Sequence, residues 1–254
     1  MPALPPDLAP SARSRLDALL SRVWAFPPDE HPLARLQGRS LGPHRLLLLL
    51  GPKNNVGARY FQLCLVDPQG RLSREPLALG LHNTGPFPGY NWLELTRYDT
   101  DPTFDGERLD LAAAGLDRRL FALLSSLVPP GGHLMAEYES PGRRASERVL
   151  ALGYPPVTSP LGYLLFRAGC RSFRDWYIAE GGREGPRKLQ GFKPLDAADA
   201  GTKTERLRRE LAELLTRPEA PQHGEWASTA RRLARAVLKA LEREQDPAAR
   251  SRVP

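Results

Sequence analysis

Apolar residues near the start of the chain recur at three-and-four spacing, at Leu16, Leu19, Leu20 and Val23. One apolar face every 3.6 residues marks an amphipathic helix. It is predicted over 12–24, with Ser11 as N-cap and Pro27-Pro28 as the stop. The period then changes. Five consecutive leucines, Leu46 to Leu50, read as a buried strand over 45–50. Over 59–66, Tyr60, Gln62, Cys64 and Val66 alternate with Phe61, Leu63 and Leu65, the period-two pattern of a strand. Strands follow over 75–81 and 90–98. In the second of these, Trp92, Glu94, Thr96 and Tyr98 should share one face, and Leu93, Leu95 and Arg97 the other. The turn clusters Gly51-Pro52-Lys53-Asn54-Asn55 and Asp67-Pro68-Gln69-Gly70 are short. Connections this short predict an antiparallel meander rather than crossover units.

The second half is more helical. Leu109, Leu116, Leu120, Leu123, Leu124 and Leu127 predict a helix over 109–128, ended by Pro129-Pro130-Gly131-Gly132. A buried strand is predicted over 133–138, and a helix over 143–152 begun by Ser140-Pro141. A further helix over 159–168 has Ser159 as N-cap, Pro160 at its first position and Gly169 just past its end. Strands over 173–178 and 188–193 flank a glycine-containing loop at 181–186. Beyond Pro194 the composition shifts to an Asp/Ala linker at 196–201 and two charged helices, 204–216 and 225–244. The expected fold class is α+β, with a mostly antiparallel central sheet flanked by helices. Expected units are an N-terminal helix and linker (1–40), an α/β domain (41–195) and a charged helical tail (196–254).

Composition narrows the function classes. A hydrophobic content of 41% over 254 residues supports a sizeable core. The longest apolar run is five residues, far short of the roughly 18 needed for a membrane span, so no membrane partner is expected. Met1 to Pro10 is proline-rich and lacks the character of a secretory leader, which places the protein in the cytoplasm as an expectation. Cys64 and Cys170 lie in apolar surroundings and read as buried thiols. Two cysteines and five histidines make no zinc spacing. The net charge of +7 and pI of about 9.7 permit nucleic acid or an anionic cofactor as partner. Tail residues Arg206, Arg208, Arg209, Arg231, Arg232 and Arg235 either touch nucleic acid or form solvated and packing faces with their interleaved glutamates. No nucleic-acid motif accompanies them.

Several side chains are candidates for chemistry. Glu94, alternating beside Trp92 and Thr96, is either a general base in a half-buried cleft or a solvent-facing strand residue. Glu137 ends a short apolar strand and is either a second site carboxylate or the partner of an arginine such as Arg174. His82, in a segment read as a turn, either points into a cleft or is satisfied locally. Arg183, Arg187 and Lys188, next to flexible glycines, either hold phosphate or form a solvated hairpin tip.

Two stretches are familiar together. One is Pro129-Pro130-Gly131-Gly132-His133-Leu134-Met135-Ala136-Glu137-Tyr138. The other runs from Pro160-Leu161-Gly162-Tyr163-Leu164-Leu165-Phe166 through Phe173-Arg174-Asp175-Trp176-Tyr177 to Lys188-Leu189-Gln190-Gly191. The pair resembles the domain-of-unknown-function 1122 family over about 41–194. The order of elements also resembles the GNAT (acyl-CoA N-acyltransferase) fold. That resemblance implies transfer of an acyl group from acetyl-CoA or another acyl-CoA to a small-molecule or protein amine. Glu94 would take the ammonium proton, Tyr163 would protonate the leaving thiolate, and Glu137 is a further catalytic candidate. GNAT proteins cradle the cofactor pyrophosphate at a glycine-rich turn leading into the long helix, where orphan amides favour an anion. Here 99–107 reads Asp-Thr-Asp-Pro-Thr-Phe-Asp-Gly-Glu, with three aspartates, one glutamate and one glycine. Phosphate contacts would then fall to Gly106, Arg108, Arg118, Arg143 and Arg144.

Two other readings stay open. Residues 120–135 resemble the late helix, Pro-Gly-Gly turn and strand of an S-adenosylmethionine-dependent methyltransferase, for which 51–57 offers the one candidate cofactor turn. The third is a non-catalytic binding or scaffold protein with a degenerate cofactor site.

Overall fold

The computed structural model describes residues 8–85, 87–137, 144–180, 183–218 and 224–245. Helix α1 (Pro10–Leu20) precedes strands β1 (Ser40–Leu41), β2 (His44–Lys53), β3 (Arg59–Val66), β4 (Ala78–Asn83) and β5 (Trp92–Tyr98). A small hairpin, β6 (Thr103–Phe104) and β7 (Glu107–Arg108), leads to α2 (Leu116–Ser126). Then come β8 (His133–Glu137), α3 (Arg144–Ala151), α4 (Pro160–Arg167), β9 (Ser172–Glu180) and β10 (Arg183–Phe192). Helices α5 (Ala197–Thr216) and α6 (Gly224–Gln245) follow.

The leucine run of β2 does not alternate with polar residues because both faces of the strand are covered. Leu46, Leu48 and Leu50 enter the main core with α2 and α4. Leu47 and Leu49 enter a second core beneath Ala12 and Leu16 of α1. The fold is α+β, and the main sheet has the order β1-β2-β3-β4-β5-β8-β10-β9. Of its seven pairings among the described residues, six are antiparallel and one, β5 with β8, is parallel. The expected meander is present from β2 to β5. The parallel step falls where the chain crosses over through α2, as a parallel pairing requires. Helices α5 and α6 bury Leu207, Leu211, Val237 and Leu241 against Val157 and Phe166. Among the described residues, no helix is long and apolar enough to cross a membrane.

Several elements differ from expectation for physical reasons. Helix α1 starts at Pro10 with Ala9, not Ser11, as N-cap. It ends at Leu20 because the chain turns to pair Ala25 with Leu50, which leaves Val23 exposed. Helix α2 starts at Leu116 instead of 109, because Gly115 is left-handed (φ 66°). Ahead of it, the Leu109 and Leu111 amides donate to the carbonyls of Pro102 and Thr100. Strand β10 extends back to Arg183, so most of the expected glycine loop is strand. The expected helix start at Ser140-Pro141 lies outside the described residues. The helix over 159–168 forms as expected, with the Ser159 hydroxyl accepting from the Gly162 amide at 3.0 Å.

In β5 the strict alternation breaks. Leu79 pairs with Arg97 and Gly80 with Leu95, which leaves Thr96 as an extra, unpaired residue. A one-residue bulge reverses the phase of everything beyond it. Tyr98 therefore joins Leu93 and Leu95 in the core, edge-on to Phe121 at 5.6 Å, and does not share the face of Glu94. Gly80 is required opposite the bulge. A Cβ there would overlap the Glu94 carbonyl oxygen and lie 2.7 Å from the Phe61 ring.

A buried carboxylate–lysine cluster as candidate functional site

With Leu93 and Leu95 turned into the core beneath α2 and α4, Glu94 points from the opposite face of the sheet. Its parallel partner on β8 is Met135, two residues before Glu137. Glu137 in turn is directly opposite Lys188 of β10. Register thus sets Glu94, Glu137 and Lys188 on one face of three adjacent strands. The Lys188 ammonium donates to Glu94 Oε1 and lies 3.1 Å from Glu137 Oε1. The side chains are only 9%, 7% and 10% exposed for Lys188, Glu94 and Glu137. Burial alone would lower the lysine pKa. Hydrogen bonds and charges from Glu94 and Glu137 outweigh it and leave the ammonium above the ordinary lysine value.

The cluster flanks a break in the sheet. The β5–β8 pairing ends at Leu95 and Ala136, and the bulge at Thr96 follows at once. Two carboxylates around one ammonium carry a net charge of −1. Chemically, they can hold a second cation or accept a proton from one. Sequence reasoning left Glu137 either a site carboxylate or the partner of an arginine such as Arg174, and Lys188 either a phosphate contact or part of a solvated hairpin tip. Instead, Arg174 is exposed, and Lys188 is the buried partner of both glutamates. The available signal was the phase of β10, where Lys188 alternates with Leu189 in a strand and cannot sit at a loop tip.

Tyr163 lies elsewhere. Helix α4 packs on the core face through Leu161, Leu164 and Leu165, so the tyrosine is across the sheet from Glu94. Its ring is half-buried, stacks on Phe166 at 6.3 Å and packs against the α5–α6 cluster. It lines a cavity of about 660 Å3 between α2, α4 and α6. The structure therefore gathers Glu94 with Glu137 but separates both from Tyr163.

Of the residues expected to hold phosphate, Gly106 and Arg108 are engaged otherwise. Asp105 (φ 46°) and Gly106 (φ 93°) make the tight turn of the β6–β7 hairpin, with both central residues at positive φ as such a turn demands. Exposed Arg108 pairs with Asp101 at 2.7 Å. Arg71 pairs with Asp67 and Glu107, each at 2.6 Å. At the start of α2, the Leu116 and Asp117 amides both point to the Leu111 carbonyl, at 2.8 and 3.4 Å. The Arg118 amide donates to the Asp117 carboxylate at 2.6 Å. At the helix end that the GNAT resemblance assigns to a pyrophosphate, these amides are thus engaged and acidic side chains stand beside them. Arg143 and the side chain of Arg144 lie outside the described residues.

His82 is inside β4 rather than in a turn. It is buried edge-on to His31 at 5.9 Å, and burial with the nearby His31 charge pushes its pKa down to about 4. The thiols of Cys64 and Cys170 are free and buried, which raises them to about 11 and about 12.

Fold and site together define an α+β protein with a mixed eight-stranded sheet and a buried Glu–Lys–Glu cluster where its parallel strands part. The family model described as protein of unknown function (DUF1122) matches residues 56–218, and the chain belongs to that family. The match begins later than expected from sequence and runs through α5. The chain is similar to the crystal structure of a protein of unknown function, AQ1966, from Aquifex aeolicus VF5. The TM-score is 0.54 over 90% of this chain and 99% of that one, at 23% identity. At that identity the likeness shows a shared fold and nothing of activity. No curated protein matches the chain.

Proposed function

We propose that the chain is a GNAT-like binding protein whose acyl-CoA site has been lost. The GNAT-like reading is supported by the antiparallel meander, the single parallel step from β5 to β8, and the insertion of β10 between β8 and β9. The observation that carries loss of the cofactor site is the start of α2. Its first amides are taken by the Leu111 carbonyl and the Asp117 carboxylate, with an acidic hairpin in front. A pyrophosphate there would meet carboxylates where it needs free donors. Isothermal titration with acetyl-CoA tests this reading, the expected result being no measurable binding. A dissociation constant in the micromolar range, with release of free CoA when amines are supplied, would sink it.

One observation favours a second reading, acyl transfer to an amine. Glu94 is buried beside the parting of β5 and β8, with Glu137 and Lys188 fixing its carboxylate. In that reading Glu94 takes the proton of a substrate ammonium. The Glu94→Gln variant would then lose turnover while still binding the amine. The methyltransferase reading is withdrawn, because one parallel pairing among seven does not make a doubly wound sheet.

A further inference from the structure

The two C-terminal helices differ in how their unpaired cations are spaced: on α5 only the exposed Arg206 and Arg209 lack an ion pair among the described residues. On α5, Lys203 pairs with Asp199, Arg208 with Glu205 and Arg217, just past its end, with Glu213. On α6, the exposed Arg232, Arg235, Lys239 and Arg243 have no acidic partner among the described residues. Their spacing of three, four and four sets them in one row along the helix. At 1.5 Å per residue the row is about 16 Å long.

The row does not face open solvent alone. Lys239 and Arg243 line the cavity of about 660 Å3 that also holds Tyr163, and Arg118 and Arg167 line its other wall. Neither Arg118 nor Arg167 has a carboxylate partner among the described residues. Arg171, also in the cavity, is held by Glu244, the one acidic side chain there. Between Lys239 and Arg243 the floor on α6 is Ala240, which leaves room for a chain to lie close. Cations crowded into one cleft repel one another and raise a positive potential of several kT. That cost persists unless an anion relieves it.

We infer that this groove between α6 and the α2–α4 wall binds nucleic acid through its phosphate backbone. The length of the row fits an extended polyanion better than a single phosphate, which would engage two or three of these cations and leave the rest opposed. The half-buried Tyr163 ring inside the cavity provides a surface on which a base can stack. Cations that contact phosphate and a ring that stacks on any base make the binding sequence-independent. The inference stands whether or not the chain transfers acyl groups, since it uses neither Glu94 nor the start of α2.

The test is fluorescence anisotropy of the full chain with a labelled single-stranded oligonucleotide of about 20 nucleotides, in low salt and then in a salt titration. Lys239→Glu/Arg243→Glu is compared with Arg13→Glu/Arg22→Glu, which makes the same charge change on exposed positions at α1. The groove variant should weaken binding at least about tenfold and flatten the log–log salt slope by about one to two units. The α1 variant should stay within about twofold of wild type. Should the charge reversals disturb the fold by circular dichroism, Lys239→Ala/Arg243→Ala should still weaken binding severalfold. Absence of wild-type binding overturns the proposal. So does equal weakening by both pairs, which would assign binding to net charge. Competition by poly-glutamate as effective as by unlabelled oligonucleotide would also overturn it, in favour of an acidic polypeptide partner.

Discussion

Lys188 on β10 reaches past the whole of β8 to donate a hydrogen bond to Glu94 on β5. The two residues are 94 positions apart in the chain, and their contact ties the meander to the closing hairpin. Removing one partner of a buried ion pair strands the other charge, at a cost of about 3–5 kcal/mol. Here Lys188→Met strands two carboxylates at once. Urea unfolding should show a loss at the upper end of that range, and adding Glu94→Gln and Glu137→Gln should recover most of it. A loss under about 1 kcal/mol for the single variant would mean that water already solvates the cluster. The pH dependence has a definite sign. The folded-state lysine value is raised, so its stabilisation is complete below the unfolded value of about 10.4 and fades as pH climbs through the folded one. The alkaline fall in stability should be shallower in Lys188→Met.

Gly80→Ala probes the bulge that sets the phase of the site strand. Its Cβ would overlap the Glu94 carbonyl oxygen, and the Phe61 ring behind it, at 2.7 Å, leaves no room to retreat. Overpacking of this kind costs about 1–3 kcal/mol or more. Gly201→Ala is the matched control. Position 201 is interior to α5 with nothing within 4 Å, so alanine should stabilise by about 0.5–1 kcal/mol. Thermal melts of the two variants should therefore move in opposite directions.

Much of the fold was legible because its signals are local. The alternation of 59–66 gave β3 without change, and Ser159-Pro160 with Gly169 bounded α4. The bulge at Thr96 was hidden, because an extra residue between Leu95 and Tyr98 looks like continued alternation until the register with β4 is known. Leu109 extended the apparent helical face into a segment whose amides bond back to Pro102 and Thr100. At the site, Glu94 and Glu137 stood out as carboxylates in apolar strands. Their common partner did not, since only the order β5-β8-β10 brings Lys188 between them. Tyr163 was singled out by analogy with GNAT acyltransferases, and analogy carries no information about which face of the sheet a helix covers.

Arg171 closes the end of α4 and should matter more for that than for its ion pair. One guanidinium nitrogen donates to the carbonyls of Phe166 and Cys170, at 3.1 and 2.9 Å, and the other to both oxygens of Glu244, at 2.9 and 3.0 Å. The arginine side chain is 12% exposed and the glutamate 53%. Half-exposed ion pairs contribute about 0–1 kcal/mol; the Phe166 carbonyl keeps the Gly169 amide at 2.9 Å, but taking the arginine donor from the carbonyl of buried Cys170 costs about 1–3 kcal/mol. Arg171→Ala should thus destabilise clearly more than Glu244→Gln in urea unfolding. Equal losses in the two single variants, or a coupling energy in the double-mutant cycle above about 2 kcal/mol, would assign the effect to the ion pair instead.

His82 gives the fold an acid-sensitive point. Burial, aided by the His31 charge, lowers its pKa from 6.5 to about 4. Between those two values the unfolded chain binds a proton that the folded chain refuses, so stability falls as pH drops through this window and levels off below about 4. A shift of this size corresponds to about 3 kcal/mol in full, of which about 2 should be lost between pH 7 and pH 4.5. His82→Leu keeps an uncharged side chain of similar size on the core face beside Leu93. Urea unfolding at the two pH values should show the wild type losing about 2 kcal/mol more than the variant. Equal losses would mean that His82 takes up its proton in the folded state, by opening towards solvent at the end of β4.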